Sequence, residues 1–304
     1  MITRRQILVS GLAGAAAGLS PLRLWAETTL EMGQARLTTL SDGFLQLPES
    51  FVFGDLDREA AREVLAAMQM TDTALQPPCN VTLLRRDDAV ILFDAGSGPA
   101  FMDSAGKLPE ALDAAGLAPE DITHVVFTHA HPDHLWGAVD DFDEPTFPEA
   151  RYLMGDREHA FWTDPAVLDN LAPDRQSFAA GAARRLEILG DRVETFGDGD
   201  ELLPGLRAML TPGHTPGHMS FELSSGDVTA LVVGDAIGNG HLALARPDWD
   251  APADQDPALG AQTRVALLNR IAEADMPIVG FHLPGGGLGR VARSGDAFAF
   301  TPAG

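Results

Sequence analysis

Short apolar runs alternate with helix-like stretches from about residue 30 to the end of the chain, and turn-forming residues separate them. The segment 81–93 holds two apolar runs around the polar turn 85–88, which predicts a β-hairpin. The segment 37–47 has the same form around Ser41-Asp42-Gly43 and predicts a second hairpin. Strands therefore account for much of the first third of the chain.

Two segments have helical periodicity. Leu108–Ala115 forms a short amphipathic stretch that Gly116 would end, and Pro257–Ala274 is the longest helical pattern of the second half. In the second segment one face carries the apolar positions Leu259, Val265, Leu268 and Ile271. Strands and helices alternate, with hairpins at the start of each half. This pattern predicts mixed sheets covered by helices and not an all-parallel doubly wound sheet.

Composition and charge restrict the class of protein. A chain of 304 residues with 45% apolar residues can bury one large core, and we expect a single layered domain. The formal net charge of −23 argues against a nucleic-acid partner, since such a protein normally carries a basic face. With one cysteine, Cys79, no disulfide can form within the chain, and we interpret it as a packed or loop residue.

The first 26 residues have the form of a bacterial twin-arginine export signal. Arg4-Arg5 precedes an apolar run of small residues, and Leu24-Trp25-Ala26 is a plausible cleavage site. An uncleaved amphipathic anchor is the alternative. We therefore expect a signal over residues 1–26, a mature domain over 27–304, a periplasmic location, and no stable membrane insertion after signal removal.

Four apolar runs each end in side chains that bind metal ions. Ligands placed just after strand ends are held by a rigid sheet, which is where sheet proteins usually build sites. The candidate ligands are His129, His131, Asp133 and His134 after the first run, His214 after the second, Asp235 after the third and His282 after the fourth. The segment Pro247–Pro257, rich in Asp, Pro and Ala, precedes the last of them. It fits a domain linker or a surface loop near the site, and we favour the loop because His282 still follows it.

Local spacing indicates two adjacent metal ions. His129 and His131 are two residues apart, so in an extended segment both point the same way. Asp133 and His134 follow Pro132, where a turn can aim them at a second point a few ångströms away. Imidazole and carboxylate suit zinc, and also iron or manganese.

The sequence around these ligands resembles that of the metallo-β-lactamase-fold superfamily. Its five sequence blocks correspond here to Phe93–Gly96, Thr128–His134, Thr211–His214, Gly234–Asp235 and Phe281–His282. The resemblance covers about residues 30 to 300. It implies an α+β fold, a four-layer αββα sandwich in which helices flank two mixed β-sheets.

The resemblance also implies a role for each ligand. His129, His131 and His214 would hold the first metal, Asp133, His134 and His282 the second, and Asp235 would bridge them. A hydroxide between the metals would be the nucleophile, since a metal lowers the pKa of its water to about 7. Asp133 and Asp235 are the predicted catalytic residues. Asp94 would steady the ligand loop as a neighbour of the ligands, and His218 is predicted to do the same or to begin a helix.

A narrower resemblance is to the exported methyl parathion hydrolase-like enzymes. It rests on the turn at 40–43, the closing block Gly280–Val291 and the acidic Pro-rich loop, and it suggests a homodimer. Quorum-sensing lactonases of the superfamily usually have a Tyr shortly after the bridging Asp, whereas Ala236-Ile237-Gly238 stands here and the one tyrosine is Tyr152. This departure argues against a close lactonase relationship but not against lactonase activity.

We therefore predict a two-metal hydrolase that acts on a small, fairly apolar ester, lactone or phosphotriester. The candidate substrate-pocket residues are Trp136, His241, Trp249 and Phe161. Two alternatives remain open. One is a mononuclear iron oxygenase of the same fold that acts on a sulfur substrate, and the other is a metal-binding protein without turnover.

Overall fold

The computed structural model describes residues 28–67, 76–171 and 175–303. The export signal predicted over residues 1–26 lies outside these ranges. Within them, no helix combines the length and the hydropathy that a membrane span requires.

Each half of the chain forms its own sheet. Within the described ranges the first sheet has seven strands that are neighbours in chain order: β1 (Thr29–Met32), β2 (Ala35–Phe44), β3 (Pro78–Arg86), β4 (Ala89–Phe93), β5 (His124–Val126), β6 (Arg151–Gly155) and β7 (Val193–Phe196). The described part of the second sheet also has seven strands in chain order: β8 (Glu201–Leu203), β9 (Leu206–Leu210), β10 (Met219–Ser225), β11 (Val228–Gly234), β12 (Pro277–Gly280), β13 (Leu288–Ser294) and β14 (Ala297–Pro302).

Both sheets are mixed, as predicted. Strands β1 to β4 are antiparallel and β4 to β7 parallel, whereas in the second sheet β11 and β12 are parallel and the other pairs antiparallel. The predicted hairpin over 81–93 is confirmed as β3 and β4.

The helices are mostly short. Their bounds are α1 (Glu49–Phe53), α2 (Arg58–Ala67), α3 (Leu108–Ala114), α4 (Pro132–Leu135), α5 (Asp156–Thr163), α6 (Pro165–Asn170), α7 (Gln176–Leu189), α8 (Leu242–Ala245) and α9 (Pro257–Ala274). The two predicted helices are confirmed as α3 and α9, and Gly116 follows α3 with a φ of 70°.

Alternating side chains produce four layers. In β4, Leu92 packs with the core under α3 and α7, while Ile91 and Phe93 face the second sheet. In β11, Val232 packs between the sheets, and Leu231 packs on the outer side with α9. Because each sheet buries one face on the other sheet and the opposite face on helices, the fold is the predicted αββα sandwich.

The hairpin predicted around Ser41-Asp42-Gly43 is wrong. Strand β2 continues through these residues to Phe44 and stays paired with β3, with a register shift between Ser41 and Phe44. The Asp42 carboxylate is fully buried and accepts hydrogen bonds from three backbone N–H groups, those of Ser97, Gly106 and Leu108. Asp42 therefore binds buried backbone N–H groups and does not lie in an exposed turn.

The buried face of α9 is rotated from the predicted one. Leu268 and Ile271 are buried as expected, but Leu259 and Val265 are only partly buried. Arg264 occupies the inner face and is 2% exposed. An apolar pattern could not predict this rotation, because a charged side chain takes one of the core-facing positions.

Candidate metal centre

The loop after β5 presents four of the predicted ligands in two directions. His131 is extended, with φ −65° and ψ 160°, and α4 begins at Pro132, so Asp133 and His134 lie in the first helical turn. Proline suits this position because the first helical residue needs no N–H and has a φ near −65°. The turn that the sequence predicted after Pro132 is therefore present, and it separates the two ligand pairs.

Three imidazoles converge on one point. His131 Nδ1 lies 3.0 Å from His129 Nε2 and 2.9 Å from His214 Nε2. His214 Nε2 also lies 3.4 Å from Asp235 Oδ2. This first cluster combines the loop after β5 with the ends of β9 and β11.

A second cluster shares Asp235 with the first. His282 Nε2 lies 3.2 Å from both Asp133 Oδ2 and Asp235 Oδ2. His134 Nε2 lies 3.5 Å from Asp133 Oδ2 and 3.4 Å from Asp235 Oδ1. The structure thus brings all seven predicted ligands together, with the Asp235 carboxylate contributing to both clusters.

The donor atoms fit divalent metal ions. Tetrahedral ligands about 2.0–2.1 Å from a zinc ion lie about 3.3 Å from one another, close to the separations seen here. Asp133 Oδ2, His134 Nε2 and Asp235 Oδ1 are buried polar atoms without a hydrogen-bond partner. Buried polar atoms are almost always paired, so these three fit the role of metal ligands at the point that they face.

Hydrogen bonds on the far side of the rings fix which nitrogen faces the site. His134 Nδ1 lies 2.8 Å from Asp94 Oδ2, and His282 Nδ1 lies 2.8 Å from the backbone oxygen of Pro78. Both partners are acceptors, so each Nδ1 carries a hydrogen and Nε2 is the nitrogen that would bind an ion. Partners of this kind orient metal-binding histidines and raise their basicity.

Asp94 and His218 both lie beside the ligands, and His218 precedes strand β10 and not a helix. The Asp94 carboxylate accepts hydrogen bonds from the backbone N–H and the hydroxyl of Thr128, which precedes the first ligand. His218 Nε2 accepts a hydrogen bond from the backbone N–H of Asp235. A Cβ on Gly234 would lie 2.7 Å from that Nε2, so glycine is required before the shared ligand.

The electrostatics divide the histidines into two groups. Burial, together with neighbouring imidazoles, lowers the pKa of His129 and His131 well below the ordinary value. Burial also opposes the charging of His134 and His282, but Asp235 and Asp133 outweigh it and raise the pKa of both well above the ordinary value. Without metal, the second cluster therefore holds protons that an ion would displace.

Two buried carboxylates that the sequence did not single out support the ligand loops. Glu158 accepts from the backbone N–H of Ala130 at 2.9 Å and from the Trp162 indole at 2.6 Å. Its other oxygen accepts from the Thr215 hydroxyl at 2.7 Å and the Gly217 N–H at 3.1 Å. Asp254, in the acidic Pro-rich loop, lies 3.0 Å from His214 Nδ1, which places that loop beside the site as favoured.

The four candidate pocket residues lie at different depths around the site. Phe161 packs edge-on against Trp162, whose ring is 5.8 Å from that of His131. Trp136 packs on Phe101 and under the Arg185 guanidinium, 4.2 Å from its ring centre. Phe101 contacts Phe178, and Phe178 contacts His131 at 6.4 Å, so Trp136 adjoins the site through two intervening rings.

The other two candidates lie in loops of the second half. His241 caps α8, where its Nδ1 accepts from the Leu242 N–H, and burial lowers its pKa to about 4. Trp249 packs against the cluster that Val52 and Phe53 form with α2, and Arg246 lies over its ring. Phe178 is an aromatic neighbour of the ligands that the sequence did not indicate.

Comparisons with known proteins agree with this architecture. The profile of the Metallo-beta-lactamase superfamily matches residues 75–282. The uncharacterized protein YobT of Bacillus subtilis is 31% identical over 179 residues, which are 56% of this chain and 70% of YobT. A probable metallo-hydrolase of Mycobacterium tuberculosis, Rv2300c, is 27% identical over 52% of this chain and 56% of its own length.

Solved structures extend the similarity to most of the chain. AidC, a dizinc quorum-quenching lactonase, superposes with a TM-score of 0.86 at 24% identity and covers 91% of this chain and 97% of AidC. The hydrolase AbOPH gives a TM-score of 0.84 at 25% identity, with the same coverage. With the profile match over more than half of its length, the chain belongs to the metallo-β-lactamase superfamily of metal-dependent hydrolases.

Proposed function

We propose that the protein is a binuclear metal-dependent hydrolase that cleaves a small, fairly apolar ester, lactone or phosphotriester. The observation that supports it most directly is the position of Asp235, whose carboxylate faces both ligand clusters. Two divalent ions, which we propose to be zinc with iron or manganese as alternatives, would activate a water molecule and polarise the bond to be cleaved.

The chain's own residues would prepare this reaction. Asp235 lies between the two clusters and Asp133 lies in the second, where they could orient the attacking water. Phe178, which is partly exposed, places an apolar ring beside His131, and this ring suits the apolar part of a substrate. The lactone option also follows the structural similarity to AidC, a lactonase.

The alternative of a mononuclear iron oxygenase requires a reduced ligand set. Here both clusters are complete, with His134 and His282 sharing the second, so the hydrolase is the better-supported function. A metal-binding protein without turnover would have the same ligands and is distinguished by assay alone.

The subgroup and the location are further parts of the proposal. We propose that the protein belongs with the exported methyl parathion hydrolase-like enzymes and that residues 1–26 direct it to the periplasm through the twin-arginine route. A homodimer that acts on a small molecule fits that subgroup. The export is tested by fractionating cells that express either the wild-type chain or the double variant Arg4→Lys, Arg5→Lys, which should stay in the cytoplasm.

The activity is tested by counting metals and by assaying a panel of substrates. We expect two ions per chain and turnover of at least one among nitrophenyl esters, lactones and phosphotriesters, with a cephalosporin as the comparison substrate. Asp133→Ala should lose one ion and most of the activity. One iron per chain with oxygen consumption would favour the oxygenase, and equal turnover by the variant and the wild type would refute the proposed mechanism.

A further inference from the structure

A buried pair of charged residues connects the first cluster to the acidic Pro-rich loop. One carboxylate oxygen of Asp254 lies 3.0 Å from His214 Nδ1, and the other accepts from Arg264 at 2.6 Å. Both side chains are almost fully buried, at 4% and 2% exposure. Since a buried carboxylate and a buried guanidinium are costly unless they are paired, their geometry is restricted to this arrangement.

The same guanidinium also holds the start of the loop. Arg264 donates to the backbone oxygens of Pro247 at 3.1 Å and of Trp249 at 2.9 Å. Gly260 on α9 leaves space for the Asp254 carboxylate, because a Cβ at that position would lie 2.2 Å from Asp254 Oδ2. One side chain of α9 therefore joins both ends of the segment 247–254.

The loop's far end pairs directly with the backbone that carries His214. The N–H groups of Gln255 and Asp256 donate to the backbone oxygens of His214 and Gly213, at 3.1 and 2.9 Å. On the outer side, Arg175 donates to the backbone oxygens of Pro252 and Ala253. The loop is thus fixed to the ligand's backbone and, through Asp254, to its ring.

We propose that Asp254, held by Arg264, is a positioning residue for His214 and makes the order of loop 247–256 depend on occupancy of the first metal position. This inference rests on the proposed two-metal function. The carboxylate would fix the His214 ring with Nε2 toward the metal and increase its strength as a ligand. A bound ion would in turn hold His214, Asp254 and the loop in one arrangement.

The first test measures the affinity for each ion separately, by competition with a chromophoric chelator. Asp254→Asn should weaken one of the two ions by about 10–100-fold and leave the other unchanged, since Asp254 contacts a ligand of the first cluster only. Arg264→Gln should weaken the same ion, and the double variant should be no weaker than Asp254→Asn. Asp250→Asn, an exposed change in the same loop, is the matched control and should bind both ions normally.

A spectroscopic readout separates positioning from general destabilisation. With cobalt in place of zinc, the visible bands of one ion should shift in Asp254→Asn and remain unchanged in the control. If Asp254→Asn binds both ions equally more weakly, or binds both with wild-type affinity, the inference is overturned. The proposed function still stands in that case, because the wild-type protein binds two ions. A wild type that holds no metal refutes the proposed function itself.

A second measurement needs no variant. Hydrogen exchange of the wild-type protein with and without zinc should show stronger protection over 247–256 when zinc is bound, relative to the β1–β2 hairpin of the first sheet as an internal control. If zinc binds and exchange in the loop does not change, the coupling between the first metal position and the loop is refuted.

Discussion

Glu158 offers a quantitative test of how the ligand loops are held. Its carboxylate is fully buried and accepts four hydrogen bonds, two on each oxygen. One oxygen binds Ala130, between two metal ligands, and the other binds the loop after His214. Glu158→Gln keeps the shape of the side chain but replaces one acceptor oxygen with an NH₂ group.

The expected cost follows from the partners of each oxygen. If the amide oxygen keeps the Ala130 and Trp162 bonds, the new NH₂ group faces the Thr215 hydroxyl and the Gly217 N–H. The hydroxyl can rotate to accept, but the N–H cannot, so one buried donor loses its partner. That loss costs about 1–3 kcal/mol. For a domain of this size, it lowers Tm by roughly 2–4 °C for each kcal/mol.

Urea unfolding of the metal-free protein gives the free energy directly, and thermal unfolding gives Tm. Glu187→Gln is the matched control, because Glu187 is exposed on α7, and it should change stability by less than about 0.5 kcal/mol. If Glu158→Gln were as stable as this control, the four bonds would contribute nothing net and the reasoning would fail. We also expect the variant to bind metal more weakly, since both ligand loops lose a common anchor.

Three further predictions concern other parts of the molecule. Gly181→Ala on α7 would bring a Cβ to 2.2 Å from the Trp136 ring, so we expect the free energy of unfolding to fall by about 1–3 kcal/mol and the Trp fluorescence spectrum to change. Alanine normally stabilises a helix relative to glycine, so a more stable variant would contradict this packing. Because the pKa values of His134 and His282 are raised in the metal-free site, zinc must displace their protons, and zinc affinity should rise with pH between about 6 and 8. An indicator dye should detect the released protons, and a constant zinc affinity over that range would disprove the displacement. Burial raises the pKa of Cys79 to about 12, so the native protein should not react with Ellman's reagent at about pH 8. The unfolded protein should react with one equivalent, and rapid labelling of the native protein would contradict the burial of the thiol.

Features that depend on local pattern could be predicted from the sequence. The bounds of α9 and the hairpin of β3 and β4 follow from periodicity and turn residues, and each ligand stands directly after an apolar run. The Ser41-Asp42-Gly43 error has the same origin, since a turn and an inward-facing carboxylate have one local signature.

Features that depend on distant partners could not be predicted. Glu158 binds groups 28 and 59 residues away, and Asp254 binds a histidine 40 residues away, so neither has a local signal. The sequence predicts Trp136 in the pocket because it follows a ligand by two residues. Its ring packs against Gly181 of α7 and adjoins the ligands through Phe101 and Phe178, contacts that only the assembled fold reveals.

The arrangement of each sheet within one half of the chain has a consequence for assembly. Within the described residues, each sheet pairs strands from its own half of the chain, so the two halves meet where one sheet packs on the other and at the site. The ligands, however, come from both halves, with the loop after β5 on one side and three strand ends on the other. Bound ions would therefore act as a clamp across the seam, and their release would report the moment at which the two halves separate.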